Sequence, residues 1–150
     1  MQIDEKIIAE IIRKVISEQL AEHSPGFVKE VDEASGVITV KTATVTPDPF
    51  NTGKPGDKVF LKDVVTLKES PRLMFGVMEM KEGSAFDWTL RYDEIDYIID
   101  GTLDILANGR RSRASKGDTI YIPKNSSITF STPDSVRFLY VTYPANWADQ

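Results

Sequence analysis

The sequence has no cysteine and only one histidine, His23. Without cysteine there can be no disulfide, zinc–thiolate site, iron–sulfur cluster or thiolate nucleophile. A lone imidazole near the N-terminus leaves no histidine pair, no imidazole-rich metal shell and no Ser-His-Asp triad in the rest of the chain. No apolar run approaches the ~20 residues needed to span a bilayer, so no membrane partner is expected. Basic residues never concentrate beyond the short run Gly109 to Arg113, and 18 Lys and Arg face 23 Asp and Glu for a net charge of −5. Nucleic acid, which needs a concentrated basic face, is not an expected partner. There is no GxGxxG motif. Gly53-Lys54 is followed by Pro55 where a phosphate loop would carry Ser or Thr.

What is present is a helix followed by many strands. In the stretch 3–20 apolar side chains recur at Ile3, Ile7, Ile8, Ile11, Ile12, Val15, Ile16 and Leu20, the i, i+3, i+4 stripe of an amphipathic helix. The segment His23 to Gly26 stops it. The Pro- and Gly-rich stretch 46–58 reads as loop. From Val59 onward strand-length apolar runs follow one another with short turns, including the hairpin signal Asn108-Gly109. The expected organisation is a helix over 1–24, a linker with peripheral strands over 25–56, and a mainly β, antiparallel, jelly-roll-like barrel over 57–150. A location in the cytoplasm is the expectation for such a chain.

Within the barrel region two glycine frames stand out. Gly83, Glu94 and Gly101 form the first, with six residues between Glu94 and Gly101; Gly117 and Pro123, five residues apart, form the second. Their spacing resembles the two motifs of the cupin family. The histidines are missing: Trp88 to Arg91 stand where the first two would fall, Ile128 stands at the third, and Asn125 replaces a glycine. One carboxylate does not hold a transition metal firmly, so no tightly bound metal of cupin type is expected.

The segments Asp87 to Leu103 and Gly117 to Trp147 resemble the ethanolamine-utilisation EutQ family over roughly residues 57–148. That resemblance implies a cupin barrel, association with a bacterial microcompartment, and an acetate kinase activity that makes ATP from acetyl phosphate and ADP. It also implies a homodimer. The amphipathic helix, with Ile7, Ile8, Ile11, Ile12, Val15 and Ile16 on one face, then resembles the segments that dock cargo to a shell or to other cargo. The alternative is a non-catalytic assembly or recruitment module, or a cupin that binds a small metabolite. A metal-independent isomerase would lack the histidine base such chemistry usually recruits.

Alternate residues of a strand share a face. If Glu94 points inward, Tyr92 and Asp96 do too, and these three form the candidate catalytic cluster. Glu79, Trp88, Arg91, Tyr121 and Ser131 are candidate ligand-binding residues around it. Carboxylates suit a hard cation, so weak Mg²⁺ binding through Glu94 and Asp96, with ATP or ADP, is the cofactor expectation. Arg91, Lys124 and Arg137 are the candidates for a positive group beside it.

Overall fold

The computed structural model describes residues 5–23 and 26–150, and within the helix the side chains of residues 7–16. The helix, α1, spans Glu5–His23 and ends where the sequence places its stop. Ile3 lies outside the described residues.

Eleven strands follow: β1 (Lys29–Val31), β2 (Ile38–Val40), β3 (Asp48–Pro49), β4 (Lys58–Asp63), β5 (Met74–Lys81), β6 (Ala85–Leu90), β7 (Asp93–Ala107), β8 (Arg110–Ser115), β9 (Thr119–Ile122), β10 (Ser126–Ser131) and β11 (Val136–Tyr143). β1 and β2 form a separate ribbon. The others make one curled antiparallel sheet in the order β3-β4-β5-β11-β7-β10-β6, with β8 and β9 also paired to β7.

The stretch Trp88 to Gly101 is not one strand. Trp88 to Leu90 finishes β6, the chain turns at Arg91 and Tyr92, and β7 starts at Asp93. β7 then runs through Gly101 without a break. Its first half pairs with β11 and β9, and its second half with β8 and β10. The strand therefore passes from one wall of the barrel to the other. Gly101 sits at the crossing with φ +79°. A Cβ there would collide with the backbone carbonyl of Ser135, so only glycine fits. The register with β11 slips beside it, which bends both strands.

Strict alternation builds the interior. Met78, Met80, Phe86, Leu90, Ile98, Phe130 and Phe138 point in and make the core. Buried Asp104 is held by Arg113 through two hydrogen bonds of 2.8 Å. Asn125, in place of the motif glycine, adopts the left-handed φ of +68° that asparagine tolerates better than most side chains. The isoleucine face of α1 stays uncovered: Ile7, Ile8, Ile11, Ile12, Val15 and Ile16 are 41 to 57% exposed.

Candidate functional site

The first half of β7 alternates as its sequence requires. Glu94 and Asp96 are buried while Ile95 and Tyr97 face outward. Their cross-strand neighbours explain why burial leaves them without partners. On one side Ile122 stands opposite Glu94 and Ile120 opposite Asp96. On the other, Thr142 stands opposite Glu94 and Tyr140 opposite Asp96. Both hydroxyls are committed elsewhere. Tyr140 donates to Asp63 at 2.6 Å, and Thr142 points to the Pro144 carbonyl at 3.5 Å. Oε1 of Glu94 and both side-chain oxygens of Asp96 are buried with no donor among the described residues.

The one hydrogen bond open to these acids is the bond to each other, which requires a proton between them. Burial raises the pKa of both, and Glu94 is pushed up to about 7. The negative charge of Glu94 raises Asp96 further, and the shared hydrogen bond pulls Glu94 back down. Two adjacent carboxyls cannot both stay charged when no cation is near, so burial favours a form in which the pair keeps a proton.

Glu94 forms part of the wall of a small cavity of about 20 Å³, room for a single water-sized group. Most of the remaining lining is aromatic, with Phe86, Trp88, Tyr92, Tyr140 and Trp147 among it. Trp88 packs edge-on against Phe50 at 5.7 Å and Trp147 at 6.4 Å between ring centres. Trp88 Nε1 donates to the Tyr92 hydroxyl at 2.9 Å. Burial, together with the negative charge of Glu94, raises Tyr92 well above the ordinary tyrosine value, so it stays a neutral phenol. Trp147, from the short 3-10 turn Trp147–Asp149, donates to Asp63 at 3.3 Å. Phe50, Trp88, Tyr92 and Trp147 also border a larger outer groove of about 420 Å³, whose rim carries Asp87, Thr89 and Arg91. The four aromatic rings are the partition between cavity and groove.

The structure thus brings Tyr92, Glu94, Asp96 and Trp88 together, and places Arg91 in the groove outside them. It does not bring Glu79, Tyr121 or Ser131 to the cavity. Glu79 alternates with inward Met78 and Met80, so it faces the opposite side of β5. There it pairs with Arg137, which also donates to the carbonyls of Thr42 and Val45. Arg137 is thereby used structurally. Tyr121 alternates with buried Ile122, stands 62% exposed, and donates to Asp93 at 2.9 Å. The Lys124 backbone N–H donates to that same oxygen. Ser131 alternates with buried Phe130 and faces away from the cavity. Sequence reasoning missed Asp63, Phe50, Tyr140 and Thr142. Tyr140 and Thr142 were legible, since they share the inward face of β11 with Phe138.

The residues suit a hard cation in part. Carboxylate oxygens without donors are what Mg²⁺ accepts, but it prefers six oxygens in octahedral array. No cluster of three or more acidic or other metal-ligating side chains occurs among the described residues. Water would have to complete any such shell. A nucleotide does not fit in the cavity, and its place would be the groove.

Comparison with known proteins gives a consistent result. The family described as Ethanolamine utilisation protein EutQ matches residues 3–149. The chain is 52% identical to "Acetate kinase EutQ" of Clostridioides difficile (strain 630), over 99% of this chain and 96% of that protein. It is 38% identical to the protein of the same name from Salmonella typhimurium, over 97% of this chain but 64% of that longer protein. The solved structure of the Clostridium difficile EutQ protein superposes with a TM-score of 0.81 at 56% identity, over 85% of this chain and 93% of that one. A cupin superfamily protein from Desulfitobacterium hafniense, at 14% identity and a TM-score of 0.52 over 58% of this chain and 78% of that one, shares the fold alone.

Proposed function

The chain belongs to the EutQ family of ethanolamine utilisation proteins, and on that premise we propose that it transfers a phosphoryl group between acetyl phosphate and ADP. The observation that carries this reading is the buried pair Glu94 and Asp96, with oxygens that lack donors, set behind an aromatic partition from a groove edged by Arg91. The names borne by its relatives support it.

In this reading a terminal oxygen of ADP attacks phosphorus, the bond from phosphorus to the acyl oxygen breaks, and acetate leaves with that bond's electron pair. Such transfer depends on positioning and on neutralising charge. Arg91 draws the anionic substrates to the groove. Trp88 and Trp147 keep water from the reacting end. Glu94 and Asp96 are the residues that would hold Mg²⁺, whose chemistry would be to offset the negative charge of the phosphates.

The test is ATP formation from acetyl phosphate, ADP and Mg²⁺ by wild type, Glu94→Gln, Asp96→Asn and Arg91→Ala proteins of confirmed fold. Turnover that falls in all three variants supports the reading. Silence in all four proteins, or equal rates in all four, removes it.

The uncovered isoleucine face of α1 favours a second role in recruitment. In it, Ile7, Ile8, Ile11, Ile12, Val15 and Ile16 dock the protein onto shell or cargo proteins of a bacterial microcompartment. The outward face of Ile95, Tyr97 and Tyr121 then serves to pair two copies into a homodimer. Ile8→Glu with Ile12→Glu would abolish co-sedimentation with microcompartments and leave dimer mass unchanged. Retained co-sedimentation would remove the docking role. A monomeric wild-type mass at micromolar concentration would remove the dimer.

A further inference from the structure

Oε1 of Glu94 is buried without a hydrogen-bond partner, and no Lys or Arg pairs with Glu94 or Asp96 among the described residues. What surrounds Glu94 is mainly aromatic rather than oxygen-rich. Trp88, Trp147, Tyr92 and Phe86 wall the cavity, and besides the acid only Tyr92, Tyr140 and Thr142 among its lining residues carry a hydroxyl. An organic ammonium is well served by such walls: its charge is attracted to ring faces and its N–H groups donate to a carboxylate.

We propose that this cavity is the binding seat of a small primary ammonium ion, with its –NH₃⁺ group against Glu94 and its short alkyl or hydroxyalkyl chain reaching the outer groove by displacing the Trp147 ring from its edge-on contact with Trp88. Two features fit. The cavity of about 20 Å³ takes one group the size of water, which is the size of –NH₃⁺. The carbon chain finds apolar rings on its way out to the groove of about 420 Å³. This site does not depend on the phosphoryl-transfer reading. It shares the carboxylates with that reading, so ammonium and Mg²⁺ would compete.

Trp88 and Trp147 are the two tryptophans of the chain and both border the cavity, so intrinsic fluorescence reports its occupancy. The experiment titrates the full chain with ethylammonium chloride, and separately with ethanol as a neutral probe of the same size, at constant ionic strength and neutral pH. A saturable change with ethylammonium that ethanol does not produce is expected, and addition of Mg²⁺ should weaken it. Glu94→Gln should lose roughly tenfold or more in affinity. Asp96→Asn should retain binding within roughly threefold, because Glu94 keeps its carboxylate and an amide at 96 can donate to it. If ethanol and ethylammonium act alike, or Glu94→Gln binds ethylammonium as wild type does, the proposal is overturned. The neutral-probe comparison decides on the unmodified protein, should a variant fail to fold. Because the readout needs no turnover, failure of kinase activity leaves it intact.

Discussion

Tyr140 donates its hydroxyl to Asp63 at 2.6 Å, across the space above a residue with no side chain. That residue is Gly76, which pairs with Asp63 on one side and Tyr140 on the other. A Cβ at Gly76 would collide with the Tyr140 ring and hydroxyl and with the Lys62 carbonyl. The consequence reaches the acids. With its proton committed to Asp63, Tyr140 has none for Asp96 directly across the ladder.

Gly76→Ala should therefore destabilise the protein by about 3 kcal/mol, the range of overpacking with a lost buried hydrogen bond. Chemical denaturation followed by circular dichroism measures it. A loss below about 0.5 kcal/mol would mean that β4 and β5 separate easily at this point.

The acid pair makes stability depend on pH with a definite sign. Glu94 titrates at about 7 in the folded protein against an ordinary 4.5, and Asp96 is raised as well. The folded state thus holds more protons than the unfolded state between those values, so the stability contributed is complete below 4.5 and is lost as pH rises through 7. Melting temperature should fall between pH 5 and pH 8. Glu94→Gln should flatten that fall and raise stability at pH 8 by on the order of 2 kcal/mol. A profile that is the same in both proteins would contradict the assigned proton.

Mg²⁺ needs both carboxylates charged, so its binding should expel the shared proton. Addition of MgCl₂ to weakly buffered protein near pH 6.5 should release up to about one proton per chain, read with a pH indicator. Asp96→Asn should release less. No release from wild type at saturating Mg²⁺ would place the cation elsewhere.

Trp147 closes the partition between cavity and groove through Trp88, Tyr92 and Asp63. Trp147→Ala should expose Trp88, shift its emission to the red and increase its quenching by acrylamide several-fold. The melting temperature should drop only modestly, because Trp147 packs on the rim of the main core. Unchanged quenching would show that the remaining rings seal the cavity alone.

The legible and illegible parts of this chain divide along a physical line. Period-two alternation is local, so the inward set Tyr92, Glu94, Asp96 and Ile98 could be read directly, as could the helix stripe at period 3.6. The same alternation, carried one strand further, excludes Glu79, Tyr121 and Ser131: each has a buried apolar neighbour next to it in sequence. Other features depend on partners distant in the chain. Asp63 meets Tyr140 across 77 positions and Trp147 across 84. No local pattern marks a polar residue at a strand end as the point where two aromatic donors meet. The length of β7 was hidden for a different reason. Glycine reads as a strand end, but at Gly101 it is what allows the strand to continue past Ser135.

The single strand Asp93–Ala107 belongs to both walls of the barrel, with pairing partners along each half. The two walls are therefore joined by the backbone of one strand. Ile98 on its first half and Leu103 and Ile105 on its second are buried in the same core, so opening either wall uncovers the side chains that hold the other. Amides on the two halves of β7 should exchange with solvent in one concerted event, at the free energy of complete unfolding.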